Sequence, residues 1–163
     1  MTTPLPDSDG VDRVKVRYAL PPGEDDWPPV AVEDLWAIRL SPEVVRIDSI
    51  PWFVRGLALN DLVQVSGGDD GVLHPVEKLR WSGNCTIRVI PLDDDDNALR
   101  QMQTVIDRFA RFGVDGEGLG QFGMVALNVP PDADIRSVKE LLSHGMEQGL
   151  WDFEEGCVGG AWD

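Results

Sequence analysis

Cysteine and histidine are scarce in this sequence, and basic residues are outnumbered two to one. Its 163 residues include two cysteines, two histidines and 14 Lys+Arg against 29 Asp+Glu, for a net charge of −15. Cys85 and Cys157 stand in separate segments without C-x-x-C spacing, which argues against a redox or zinc motif and for two buried free thiols. Two histidines with scattered acids make a poor zinc site. No spacing joins His74 or His144 to Cys85 as base and thiol nucleophile, and His144 falls opposite the apolar stripe of its helix. No catalytic residue, metal or cofactor is therefore expected. The acidic balance excludes nucleic acid as a natural partner, because a phosphate backbone would be repelled. No apolar run approaches a membrane span, and Met1 to Gly10 is polar and acidic, unlike a signal peptide. A cytoplasmic protein with reduced thiols is the expectation.

What is present is enough for a folded globule. A hydrophobic fraction of 42% with six tryptophans supports one sizeable core or two small modules. The chain is organised around Ile47–Val65, which reads as strand, kink, aromatic pair, turn and strand. Pro51 ends the first strand, Gly56 permits a left-handed passage, and Asn60-Asp61 turns into the alternating run Leu62–Val65.

Residues 1–12 read as a flexible acidic leader. Arg13–Leu20 and Leu35–Leu40 alternate as half-exposed strands. Ser66–Gly71 has hairpin-turn chemistry, and Val72–Trp81 resumes as a strand that Pro75 assigns to an edge or a bulge. Residues 13–81 thus form a strand-rich module, a curled sheet or small barrel. Residues 82–163 follow as a β-α-β-α-β module packed against it. Strand Cys85–Ile90 comes first, then a helix burying Leu99, Met102, Val105, Ile106, Phe109 and Phe112, with Gly113 at its end. A glycine-rich loop, Gly116–Gly120, leads to strand Phe122–Val129. A second helix buries Ile135, Val138, Leu141, Leu142 and Met146, and Leu150–Phe153 forms the last strand. The fold class is α+β, with a two-helix ferredoxin-like second half in which one expected strand is not visible.

Asp93, Asp94, Asp95 and Asp96 are consecutive rather than alternately spaced, so they fit a helix start better than a calcium loop. Gly118-Leu119-Gly120-Gln121-Phe122-Gly123 spells G-x-G-x-x-G, but a helix precedes it and a strand follows, the reverse of a dinucleotide fingerprint. Trp36, Trp52 and Trp81, with Arg55, Arg80 and Arg88, could line a groove for a carboxylate or a peptide.

At Asp34-Leu35-Trp36-Ala37, Ile47-x-x-Ile50-Pro51-Trp52-Phe53-x-x-Gly56-x-Ala58-x-x-Asp61-x-Val63 and Ser82-Gly83-Asn84-x-Thr86-x-Arg88, the sequence resembles a family of small bacterial proteins catalogued only as a domain of unknown function. The resemblance spans roughly residues 13–157, with Trp52 where phenylalanine is more usual. It implies a stand-alone bacterial protein and supplies no activity. The second half is also similar in layout to the ferredoxin-like regulators of ribonuclease E, acidic proteins that bind a larger enzyme.

The leading expectation is a non-catalytic, acidic regulatory protein that occupies a basic surface of a protein partner, as a toxin-neutralising or enzyme-regulating protein would. Residues 92–163 carry 5 basic and 15 acidic side chains, against 9 and 14 in residues 1–91. The docking surface is accordingly placed at Asp93–Asp96 and at Asp152, Glu154 and Glu155. The rival expectation is a small-molecule- or peptide-binding protein or enzyme using the Trp/Arg groove of the first half.

Overall fold

The computed structural model describes residues 12–23, 26–68, 71–92 and 97–163. These fall into two compact units. The first holds the described residues up to Ser49 together with Asn60–Ser82, and the second holds Ile50–Leu59 with Gly83–Asp163. The division is not contiguous in sequence, because the middle of the organising stretch belongs to the second unit.

The first unit is a closed barrel of five strands, β1 (Asp12–Ala19), β2 (Val32–Ser41), β3 (Val44–Ile47), β4 (Leu62–Gly67) and β5 (Leu73–Arg80). Neighbours in chain order pair antiparallel. The barrel closes by a parallel contact of β1 with β5 at Val16 and Leu73. Alternation along the strands, broken at bulges, supplies the barrel interior. Val16, Leu35, Ala37, Val45, Ile47, Val63, Val65 and Leu73 all point inward and are buried, while Asp34 and Trp36 face out. Pro75 stands opposite Val65 where the β4–β5 register shifts, so the residue without an N–H sits at a bulge. On the exterior, Arg17 Nε and Nη2 donate to the two oxygens of Asp34 at 2.8 and 3.0 Å, and this fork holds the Asp34 carboxyl below its usual range.

Two charged residues of the barrel unit are buried, Glu33 and Asp61. Asp61 is fully buried, with one oxygen accepting from the Ser82 N–H at 2.8 Å and the other 3.5 Å from Lys78 Nζ. Burial, with the charges of Asp61 and Glu33, pushes the Tyr18 phenol above its ordinary value. Asp61→Ala should cost about 2 kcal/mol in urea unfolding, since the hydrogen bond from the Ser82 N–H and the ion pair with Lys78 would both be lost. Asp61→Asn should cost less, because its amide oxygen still accepts from Ser82. Equal losses in the two variants would refute this account.

The second unit runs β6 (Cys85–Pro91), α1 (Ala98–Ala110), β7 (Asp115–Leu119), β8 (Met124–Val129), α2 (Ile135–Glu147) and β9 (Trp151–Cys157). Its sheet has the order β7-β8-β6-β9, antiparallel at every pairing. A short 3₁₀ turn, Gly160–Trp162, follows. All six residues of β8 are buried, as the apolar run predicts for a central strand. Asn97 caps α1, its side chain accepting from the Arg100 N–H. Asp134 caps α2 through Ser137, whose N–H and Oγ hold the Asp134 carboxyl low.

The strand missing from the sequence reading is β7, which occupies the expected glycine-rich loop. The loop expectation fails because Gly116 and Gly118 are glycines for packing. A Cβ on Gly116 would stand 3.0 Å from Leu127 and 3.1 Å from Ile106, and one on Gly118 would stand 3.1 Å from the Met102 sulfur. Without side chains there, α1 settles directly on the strand. Two helix positions are also corrected. Met102, Val105 and Phe109 are buried, but Leu99 is 71% exposed. On α2, Val138, Leu142 and Gly145 are buried, and Met146 is exposed.

Candidate functional site

The polar face of β6 explains why two separated motifs occur together. In a strand, alternate side chains share a face, and in Asn84-x-Thr86-x-Arg88 that face is entirely polar. Asn84 Nδ2 donates to the Leu59 carbonyl at 2.8 Å, Thr86 Oγ1 to Leu57 at 3.1 Å, and Arg88 Nη2 to Val54. Three successive polar side chains thus strap segment 50–59 to the sheet. Gly56, at φ +73°, donates its N–H to the Gly156 carbonyl at 2.8 Å and fastens the strap to β9 as well.

Arg88 is fully buried, and its charge is met by Glu154, opposite it on β9, at 3.1 Å. Glu154 also takes Arg55 of the strap at 3.0 Å. Gly156 leaves the room, since a Cβ there would lie 2.2 Å from Arg88 Nη1.

Of the sequence-expected docking residues, the described ones fall on both faces of β9. Asp93–Asp96 lie outside the described residues. Asp152 is exposed, and Glu154 shares its face but bridges two arginines. Glu155 pairs with Ile87, on the helix-covered face, where its carboxylate accepts from Trp162 Nε1 at 2.6 Å. Lys139 Nζ in turn donates to the Trp162 carbonyl at 2.7 Å.

The residues of the expected groove are likewise divided. Trp36, Arg80 and Trp81 belong to the first unit, and Trp52, Arg55 and Arg88 to the second. Trp36 is exposed on β2, with the Arg13 guanidinium 4.6 Å and the Lys15 ammonium 4.9 Å from its ring centroid. Arg80, on β5, lines an open concavity of about 520 Å³ with Arg46, Asn60, Leu62 and Ser82.

Sequence reasoning missed a different feature, the outer edge of β7. Within the described residues this strand pairs with β8 alone. Gly116 and Gly118 face α1, so Asp115, Glu117 and Leu119 take the opposite face. Asp115 and Glu117 are exposed. Beside the strand on the helix side is Leu99, 3.8 Å from where a Cβ on Gly120 would stand. An acidic row on one face and a stranded leucine on the other thus flank the open backbone. The signal available in sequence was the alternation Asp115-Gly116-Glu117-Gly118-Leu119, masked by its glycines.

Both cysteines are buried, and burial raises the Cys85 thiol. No helix of the described residues is long and apolar enough to cross a membrane. Among the same residues no group of three or more His, Cys, Asp or Glu could hold a metal ion.

The family model for a domain of unknown function, DUF4265, matches residues 33–153. The chain belongs to that family. The DUF4265 match takes in β2 from Glu33 onward, β3 to β5, the strap, the polar face of β6 and most of the second sheet, so all three quoted motifs and the bonds from Asn84, Thr86 and Arg88 to the strap lie inside it. A solved structure titled as a novel crystal structure of a hypothetical protein from Neisseria gonorrhoeae is similar in fold, with a TM-score of 0.68 and 23% identity. The similarity covers 93% of this chain and 97% of that one. No curated protein matches the sequence.

Proposed function

We propose that this DUF4265 protein is a non-catalytic binding protein whose second unit receives an extended, basic segment of a protein partner along β7. The observation that carries the reading is the open β7 edge with Asp115 and Glu117 on one face. An edge strand presents unpaired backbone groups that another strand can extend. Self-pairing is disfavoured, because an antiparallel second copy would set acid against acid. A strand with Lys or Arg at alternate positions reverses that sign, and its other residues would fall on the Leu99 side. The partner segment is therefore basic on one face and apolar on the other. A net charge of −15 steers such a partner towards the chain and away from nucleic acid. A toxin-neutralising or enzyme-regulating protein would work in this way.

A synthetic peptide alternating lysine and valine tests the reading on the full chain by amide hydrogen exchange. Saturating peptide should slow exchange in residues 115–119 by about tenfold or more. Glu117→Lys should weaken binding by at least tenfold at low salt, and raising the salt should weaken the unmodified complex, since a Debye length near 8 Å screens exposed pairs. A peptide alternating glutamate and valine should not bind. Unchanged exchange in residues 115–119, or equal affinity of the Glu117→Lys variant, would reject the reading.

A further inference from the structure

The open concavity on the barrel has no part in that reading, and its chemistry is of the opposite sign. Its geometry follows from register. Arg46 on β3 pairs with Leu62 on β4, and Leu62 pairs with Arg80 on β5. Directly opposed residues share a face, so the two arginines stand on either side of Leu62 in one rung, with Cα atoms about 10 Å apart at two strand spacings. All three line the concavity of about 520 Å³, together with Asn60 and Ser82. Among the described residues, neither guanidinium has an ion pair or a hydrogen bond; Arg13, Arg17, Arg39, Arg55, Arg88 and Arg136 each face a carboxylate, and the other arginines without one, Arg100, Arg108 and the C-cap Arg111, all belong to α1 in the second unit.

Two unneutralised arginines beside one another, in a chain with an excess of acid, need a local reason. The adjoining carboxylate does not supply it, because Asp61 is buried and already met by Lys78 and the Ser82 N–H. That same bond fixes Ser82 on the rim, and Asn60 is held at φ +70° with its N–H on the Ile47 carbonyl. The concavity therefore has two planar cationic forks, an apolar floor at Leu62 and two neutral polar groups on a tethered rim. Guanidinium matches carboxylate in a two-point geometry, and the volume suits a small molecule.

We infer that this concavity is a binding site for a small organic dicarboxylate, each acid taken by one arginine and the short apolar spacer lying over Leu62. Two guanidiniums on separate strands match a ligand with two acids better than a monocarboxylate, which engages only one of them. The acidic surroundings slow the approach of any anion without altering the two-point match.

Glutarate, with acetate and inorganic phosphate as comparison probes, tests the site on the full chain by amide chemical-shift titration at constant ionic strength. Glutarate should shift the amides of Asn60, Leu62 and Ser82 saturably, at concentrations at least tenfold below those acetate or phosphate require. Arg46→Ala with Arg80→Ala should weaken glutarate binding by tenfold or more. Arg136→Ala, at an exposed arginine of α2 paired with Glu140, should leave it unchanged. The inference is overturned if glutarate leaves those three amides unmoved, if phosphate or acetate matches it, or if the double variant binds as well as the unmodified chain.

Discussion

Gly145→Ala should lower stability by about 3 kcal/mol, although helix propensity alone forecasts a gain of about 1 kcal/mol. Gly145 is buried in the last turn of α2, a helical position where alanine is ordinarily preferred to glycine. A Cβ there would stand 2.1 Å from Trp151 Cζ2 and 2.2 Å from Cε2. The indole cannot yield, because Nε1 donates to the Leu142 carbonyl at 3.0 Å and the ring packs on Phe109 with centroids 5.8 Å apart. The Arg108 guanidinium lies over it at 5.2 Å. Either α2 lifts from the sheet or the tryptophan leaves its hydrogen bond. At this chain length the midpoint of thermal unfolding should drop by roughly 6–12 °C. Ser143→Ala, at an exposed position of the same helix, should stay within about 0.5 kcal/mol. A Gly145→Ala protein as stable as the original would show that α2 does not rest on Trp151 in this way.

Arg88→Ala should cost about 3–5 kcal/mol, the range for breaking a buried charge pair and leaving its partners unmatched. The loss has three parts. The Val54 carbonyl forfeits a charged donor, Glu154 keeps only Arg55, and a long side chain vacates a closed site. Glu154→Ala alone should cost less, since Glu154 is partly exposed and Arg88 keeps the Val54 carbonyl. The double variant should fall short of the sum of the two losses, because both remove the same pair. Local exchange gives a sharper readout. The Gly56 amide, bonded to the Gly156 carbonyl, should exchange faster in Arg88→Ala than in a barrel variant of equal global stability such as Val45→Ala. Equal exchange at Gly56 would mean that the strap does not depend on the arginine.

Both predictions concern residues whose importance no local pattern revealed, and this separates what the sequence determines from what assembly decides. Alternation in Leu35–Ala37 and Leu62–Val65 and the helical stripe through Met102, Val105 and Phe109 were legible, because burial of one face imposes its period on neighbouring residues. The turn at Asn60-Asp61, the left-handed Gly56 and the bulge at Pro75 were legible for a similar reason, since backbone sterics act within a few residues. The motifs through Pro51-Trp52-Phe53 and Asn84-x-Thr86-x-Arg88 could be seen, but not that one is bonded to the other. That requires the strap and β6 to be neighbours, a contact spanning about thirty residues. β7 escaped because its glycines answer to α1, not to a turn, and Leu99 escaped because the apolar stripe of α1 outruns the sheet beneath it. Arg46 and Arg80 became a pair only through the register of β3, β4 and β5. Periodicity and turn chemistry are properties of adjacent residues and can be read along the chain. Which strand lies beside which, and so which charges meet, is set by packing across it.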